Sequence, residues 1–316
     1  MTPTPAILVC GNVTLDITCA PVDDVPRHDS LLFEHGTLSA GGSASNVAVG
    51  VAALGEPVAL VACTGDDATA DLLHHTWRRV GVQTQAIRRL PDTPTSLTIC
   101  LVDSHAQPRF LHTFGANRAL TSADIRRAVH ALPSARFIYI GGYFVLPALL
   151  TPDFADTLAE ARRQGRFTLL DVTLSPTMQD PSPLWALLPH LDIFLCNETE
   201  ALRLTGAPTV AAATTTLLDK GAHCVIVKRG ANGCDLATHQ ERRTIPAPPV
   251  AHVVDTTGAG DAFGAGLVVA LARGASLEEA CRAGHTAAAR VITAHGAISA
   301  WLNAEPKSNE TRSRQP

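Results

Sequence analysis

The chain has 316 residues, 46% of them apolar, with 25 Lys and Arg against 29 Asp and Glu and a formal net charge of −4. That size and apolar content allow a substantial core, in one large α/β domain or two smaller ones. The mixed charges form no basic stripe and no apolar run is long enough to span a bilayer, so neither nucleic acid nor a membrane is expected as a partner.

Met1–Pro5 has neither a basic n-region nor a cleavable apolar core, and the protein is expected to be soluble and cytoplasmic. Ala6–Cys10 is a short apolar run closed by Gly11 and Asn12, the pattern of a buried strand emerging at the edge of a site. Val58–Cys63, Phe137–Ile140, Phe167–Asp171, Ile193–Cys196 and Cys224–Val227 read the same way. Helical segments come between them at Ala44–Leu54, Asp66–Val80, Pro152–Gln164, Glu198–Leu204 and Ala211–Lys220. Such alternation predicts a mostly parallel sheet covered on both faces, with ligands outside the carboxyl ends of the strands. Asn12, Gly142, Asp171, Asn197 and Lys228 each follow an apolar run, where that rule places a site.

Two stretches, about 16–39 and 95–113, are mixed, strand-like and without long helical periodicity, the plain reading being an ordinary edge hairpin. The eight cysteines, Cys10, Cys19, Cys63, Cys100, Cys196, Cys224, Cys234 and Cys281, include no CxxC pair and are expected as reduced, mostly buried thiols. Residues 1–304 are expected to form one domain, and the polar stretch 305–316 a disordered tail.

The run Asp255-Thr256-Thr257-Gly258-Ala259-Gly260-Asp261 carries the most chemistry. A helix beginning here leaves its first N–H groups unpaired, and small residues let an anion approach them closely. Asp261 then stands where a carboxylate takes the proton of an attacking hydroxyl while amides and helix dipole hold the growing charge. The plain alternative is a Gly-rich turn with an acidic helix start.

This segment resembles the C-terminal signature of the ribokinase-like, or phosphofructokinase-B, carbohydrate kinases. Gly41-Gly42-Ser43-Ala44-Ser45-Asn46-Val47-Ala48, with Gly55 and Gly65 beyond it, resembles their N-terminal signature. Asn197-Glu198-Thr199-Glu200 is similar to their NxxE motif, and Lys228-Arg229-Gly230-Ala231-Asn232-Gly233 to their nucleotide-side loop. The likeness runs from the first strand to about Ala300, with the elements in the family's order.

The resemblance implies a three-layer α/β/α fold with a mostly parallel central sheet and a small β-lid at 16–39 and 95–113. It implies ATP-dependent phosphorylation of a primary hydroxyl on a monosaccharide-like substrate. Asp261 would be the base, with the anion hole at Gly258, Ala259 and Gly260. Asp16, Gly41, Gly42 and Asn46 would bind the substrate, Asn46 alternatively serving only as a helix cap. Asn197, Lys228, Gly230, Gly233 and His285 would meet the nucleotide, although Lys228 also reads as an exposed lysine and His285 as ordinary packing. Glu200 would act on magnesium through water, consistent with that ion's habit of using few protein ligands. Potassium, which many relatives bind near Asp255–Thr257 and residues 293–300 largely through backbone carbonyls, stays open. In several relatives the lid also makes a homodimer contact.

Relatives often carry Asp-x-Asn-x-Arg where this chain has Asp171-Val172-Thr173-Leu174-Ser175, so an acidic or phosphorylated sugar would need another cation, Arg109 or Arg118. The alternative within the fold is a nucleoside kinase using Phe33, Phe110, Phe114 or Tyr143 against the base. A non-catalytic sensor is more remote. No GxxxxGK[ST] occurs and no GxGxxG follows the first strand, which argues against Walker-type and dinucleotide-binding proteins.

Overall fold

A computed structural model describes residues 4–105, 107–174, 178 and 180–302. The expected tail at 305–316 therefore lies outside the described residues. The chain begins in strand β1 (Ile7–Gly11), passes through β2 (Thr14–Ala20) and β3 (His35–Gly41), and enters helix α1 (Ser43–Ala53). Strands β4 (Val58–Val61) and β5 (Cys63–Gly65) lead to α2 (Ala68–Arg79), then β6 (Arg88–Leu90), β7 (Leu97–Val102) and β8 (Pro108–His112). The middle of the chain alternates α3 (Ser122–Ala131), β9 (Phe137–Gly141), α4 (Pro152–Arg163) and β10 (Phe167–Asp171). A one-turn α5 (Ser182–Trp185) precedes β11 (Ile193–Asn197), α6 (Glu198–Thr205), α7 (Val210–Asp219) and β12 (Val225–Lys228). The hairpin β13 (Cys234–Ala237) and β14 (Arg242–Ile245) is followed by α8 (Ala259–Ala272), α9 (Leu277–Val291) and α10 (Ser299–Leu302).

Eight strands make the central sheet in the order β14-β13-β12-β11-β10-β9-β1-β4. All pairings from β4 to β12 are parallel, and β13 and β14 add an antiparallel edge. Both faces are covered, which explains why the strands are apolar throughout instead of alternating. Along β1, Ile7 and Val9 join the apolar cluster that holds α1, α8 and α9, while Leu8 and Cys10 join the one that holds α3, α4 and α7. The result is the expected three-layer α/β/α fold. Among the described residues no helix is long and apolar enough to cross a membrane.

β1 has β4 on one side and β9 on the other, so the chain order reverses there. This is the switch point at which a crevice opens beyond the carboxyl ends of an α/β sheet. The two strand-like stretches build a separate four-stranded sheet, β3-β2-β7-β8, which rules out the edge-hairpin alternative. Val58–Cys63 departs from the expected single strand: β4 stops at Val61, and Ala62 turns its carbonyl to the amide of Arg88 (3.0 Å), so that β5 pairs with β6.

Candidate active site

α8 starts at Gly258, an N-cap with φ 76° and no side-chain cap. A left-handed N-cap suits glycine, and the missing cap leaves first-turn amides for a ligand. The Ala259 N–H closes the turn onto the Thr256 carbonyl (3.2 Å), while the amides of Gly260 and Asp261 have no backbone partner among the described residues.

The Asp261 carboxylate receives one donor on each oxygen, Ser43 Oγ to Oδ1 and Asn46 Nδ2 to Oδ2, both at 2.8 Å. Burial is the main force on its pKa, raising it from 3.8 to about 6. Asp171 adds to the rise, while the Asn46 and Ser43 hydrogen bonds and the Lys228 charge oppose it. The group remains largely ionised at neutral pH and is more basic than an ordinary aspartate.

Beside the start of α8, Lys228 Nζ lies 2.8 and 2.6 Å from the two oxygens of Asp171, and Tyr139 OH donates to Asp171 Oδ2 at 3.0 Å. Lys228 is no surface lysine, its side chain being only 14% exposed. Burial disfavours its charge, but Asp171 and Glu200 outweigh that and raise its pKa above the ordinary value. A Cβ on Gly260 would fall 3.2 Å from Nζ, so the bare residue lets the ammonium approach the first turn of α8.

Asn197 and Glu200 form a capping box at the start of α6. Each side chain accepts the other's backbone N–H at 2.8 Å, and both also line the cavity. Burial raises the Glu200 pKa from 4.5 to about 7, with Asp171 and Asp261 adding to it and Lys228 and the Asn197 amide working against it.

His285 is buried between the ring of Phe263, 5.1 Å away edge-on, and the Ile245 carbonyl, 3.2 Å from Nε2. A carbonyl only accepts, so Nε2 carries a proton. These groups enclose a cavity of about 330 Å³ whose wall includes Gly230, Gly233, Gly258, Ala259, Gly260 and Asp261.

The sequence matches the profile of the pfkB family carbohydrate kinases over residues 6–304. The chain belongs to this family. It is 30% identical to mouse ribokinase over 306 residues, covering 94% of this chain and 91% of the relative. It is 30% identical to aminoimidazole riboside kinase of Salmonella typhimurium over 297 residues, 89% of each chain. The structure superposes on Arabidopsis thaliana ribokinase complexed with ribose and ATP with a TM-score of 0.82 at 28% identity, covering 94% of this chain and 96% of that one. The chain is an ATP-dependent phosphotransferase acting on sugar- or nucleoside-like alcohols.

In this pfkB kinase, ten of the fourteen residues given site roles by the resemblance line one cavity, while Asp16, Gly41, Gly42 and Asn46 are not part of its wall, Asn46 reaching it through its hydrogen bond to Asp261. Asn46 does not cap α1, whose N-cap is Gly42 with φ 86°. A methyl on Gly41 would collide with the Asp16 carboxylate, and one on Gly42 would stand 2.6 Å from the Asn12 carbonyl. Asp16 accepts the Thr14 hydroxyl at 2.6 Å, and burial raises its pKa against the hydrogen bonds of Thr14 and Thr98. Oδ1 of Asn12 and of Asn46 are buried acceptors without a partner among the described residues.

Sequence reasoning left Ser43 and Tyr139 without roles and named Asp171 by its place after a strand and at the head of the stretch that departs from Asp-x-Asn-x-Arg, without a role of its own. Their partners are 218, 32 and 57 residues away, beyond any local pattern.

Arg109 is turned to the carbonyls of Val22 and Asp23, and Arg118 lies over the Phe114 ring at 5.7 Å. Tyr143 is fully buried against Phe154, so it is not available to a ligand. Thr173 lines the cavity, whereas Ser175 lies outside the described residues.

Proposed function

We propose that this kinase transfers the terminal phosphoryl group of ATP to a primary hydroxyl of a monosaccharide-like substrate, with Asp261 as general base. The observation that carries this reading is the placement of Asp261. The residue ends the nucleotide-side cavity at the α8 start and is hydrogen-bonded from the Gly41–Asn46 segment on the other side. A hydroxyl held by that segment meets a phosphate held by the Gly260 and Asp261 amides at one carboxylate. Asp16 and the two orphaned amide oxygens suit the hydroxyls of a sugar, which donate as well as accept.

Magnesium fits the donor set without a protein cage. Among the described residues no cluster of three His, Cys, Asp or Glu side chains is spaced to hold a metal, while Glu200 and Asp171 supply hard oxygens on the cavity wall. An ion carried mainly by the phosphates and keeping its waters would be steadied there by Glu200, and when bound it supplies charge neutralisation on the phosphates. Lys228 stands beneath the same phosphates. Asn197, Gly230, Gly233 and His285 would flank the rest of the nucleotide.

The four-stranded sheet would cover the sugar. Leu38 of β3, 60% exposed, and Leu111 of β8, 55% exposed, suit its further use as a homodimer contact. Eight unpaired cysteines suit a reducing compartment such as the cytoplasm. Asp255, which receives the Thr257 and Gly296 amides at 2.8 Å each, draws together the two segments from which relatives bind potassium. A second reading, a nucleoside kinase, rests on Phe110 of β8. It is half exposed and stacked on His112 at 5.8 Å, a flat surface for a base.

The test is ATP turnover with magnesium, with and without potassium, on ribose, fructose, ketodeoxygluconate and a set of nucleosides. Turnover of a free sugar is expected. Preference for a nucleoside would establish the second reading, and ATP binding without turnover of any acceptor would point to a sensor.

A further inference from the structure

We propose that Ser43 is a positioning residue for the transfer, fixing the Asp261 carboxylate together with Asn46 in the orientation that accepts the substrate proton. The inference rests on the reading of Asp261 as base. Ser43 opens α1 but does nothing for its own helix, whose N-cap is Gly42 with no side-chain cap. Its hydroxyl crosses to α8 instead. Asn46 lies three residues on, on the same helical face, and reaches the other carboxylate oxygen. Both residues are only 7% exposed.

Two donors, one on each oxygen, remove a freedom that matters. The terminal torsion of an aspartate is broad, so an untethered carboxylate turns its lone pairs away from a hydroxyl as readily as toward it. Each oxygen keeps a further lone pair, so the tether does not block proton transfer. β9 leaves room for this contact at Gly141, where a Cβ would stand 2.8 Å from Ser43 Oγ. Of the other titratable groups facing Asp261, Asp171 on β10, Glu200 on α6 and Lys228 on β12 couple to it through charge, and Tyr139 on β9 is a neutral phenol whose hydroxyl is given to Asp171. The hydrogen bonds that set its plane come from α1 alone among the described residues.

The test follows the carboxyl titration by ¹³C NMR of aspartate-labelled protein, with the Asp261 signal assigned by its loss in Asp261→Asn. It is run beside kcat–pH profiles and thermal melts of wild type, Ser43→Ala and Ser43→Thr. In Ser43→Ala the Asp261 carboxyl is expected to titrate at higher pH and the acid limb of kcat to move with it. kcat should fall by roughly tenfold, the order expected for one hydrogen bond to a charged group, with KM for ATP unchanged. Ser43→Thr restores both.

Wild-type titration and kcat in Ser43→Ala, even with a lowered melting temperature, would reduce Ser43 to a tie between two helices and overturn the proposal. If the alanine variant does not fold, Ser43→Cys, which keeps the volume and weakens the donor, carries the same expectation. Full turnover by Asp261→Asn would overturn the base reading and the Ser43 role together. An inactive Asp261→Asn with unaltered titration in Ser43→Ala overturns only the second.

Discussion

The Asp261 carboxylate sits between two hydrogen-bond donors, a like charge and an unlike one, and burial still prevails, lifting its pKa to about 6. Glu200 is lifted to about 7 for the same first reason. Both must be ionised for their proposed roles, so activity should fall with an acid limb between pH 6 and 7. A limb near pH 4, the range of an ordinary aspartate, would contradict the buried base.

The stability consequence has the opposite sign to the usual salt-bridged carboxylate. A folded-state pKa above the unfolded value means the folded protein binds the proton first, so the Asp261 contribution to stability falls as pH rises from about 4 to about 6. Replacing Asp261 with Asn should therefore stabilise the protein by about 3 kcal/mol at pH 8, with the gain fading below pH 4 in urea denaturation. At this scale the sequence was legible where a residue acts locally. The helical segment at Glu198–Leu204 was readable directly behind Asn197, and the structure adds that Asn197 and Glu200 cap α6 while they line the cavity. It was illegible for Lys228, whose fate is decided by Asp171 on another strand.

Among elements, the turn from β3 into α1 is the proposed substrate side. Gly41 lies against Asp16, its partner Gly42 passes over Asn12, and the helix that follows delivers Ser43 and Asn46 to α8. Gly41→Ala should push the Asp16 carboxylate aside and raise KM for the acceptor by roughly tenfold, the effect of losing about one charged hydrogen bond, with KM for ATP unchanged. Equal changes in both constants would mean that the turn is not specific to the acceptor. The resemblance pointed Gly41 and Gly42 at the substrate, while their close approach to Asp16 and Asn12 was not readable from the sequence. Strand limits were legible from apolar runs except at Ala62, where the apolar character continues while the backbone changes partners.

For the whole molecule, the sheet order brings together segments that are remote in the chain. The strands were readable because burial on both faces makes them uniformly apolar. The separate four-stranded sheet was harder to read, because half-exposed strands of mixed composition fit a hairpin equally well. β1 at the switch point holds the substrate-side turn, the carboxyl ends of β10 to β12 supply Asp171, Asn197 and Lys228, and α8 closes the gap with its N-terminus. The central claim is that these halves meet at one base. The most direct measurement is single-turnover phosphoryl transfer by Asp261→Asn, alongside its affinity for ATP, on whichever acceptor the wild type turns over. Affinity near that of wild type with transfer reduced by roughly 10²- to 10⁴-fold, the contribution of a general base, is the predicted result. Transfer at the wild-type rate would contradict the account.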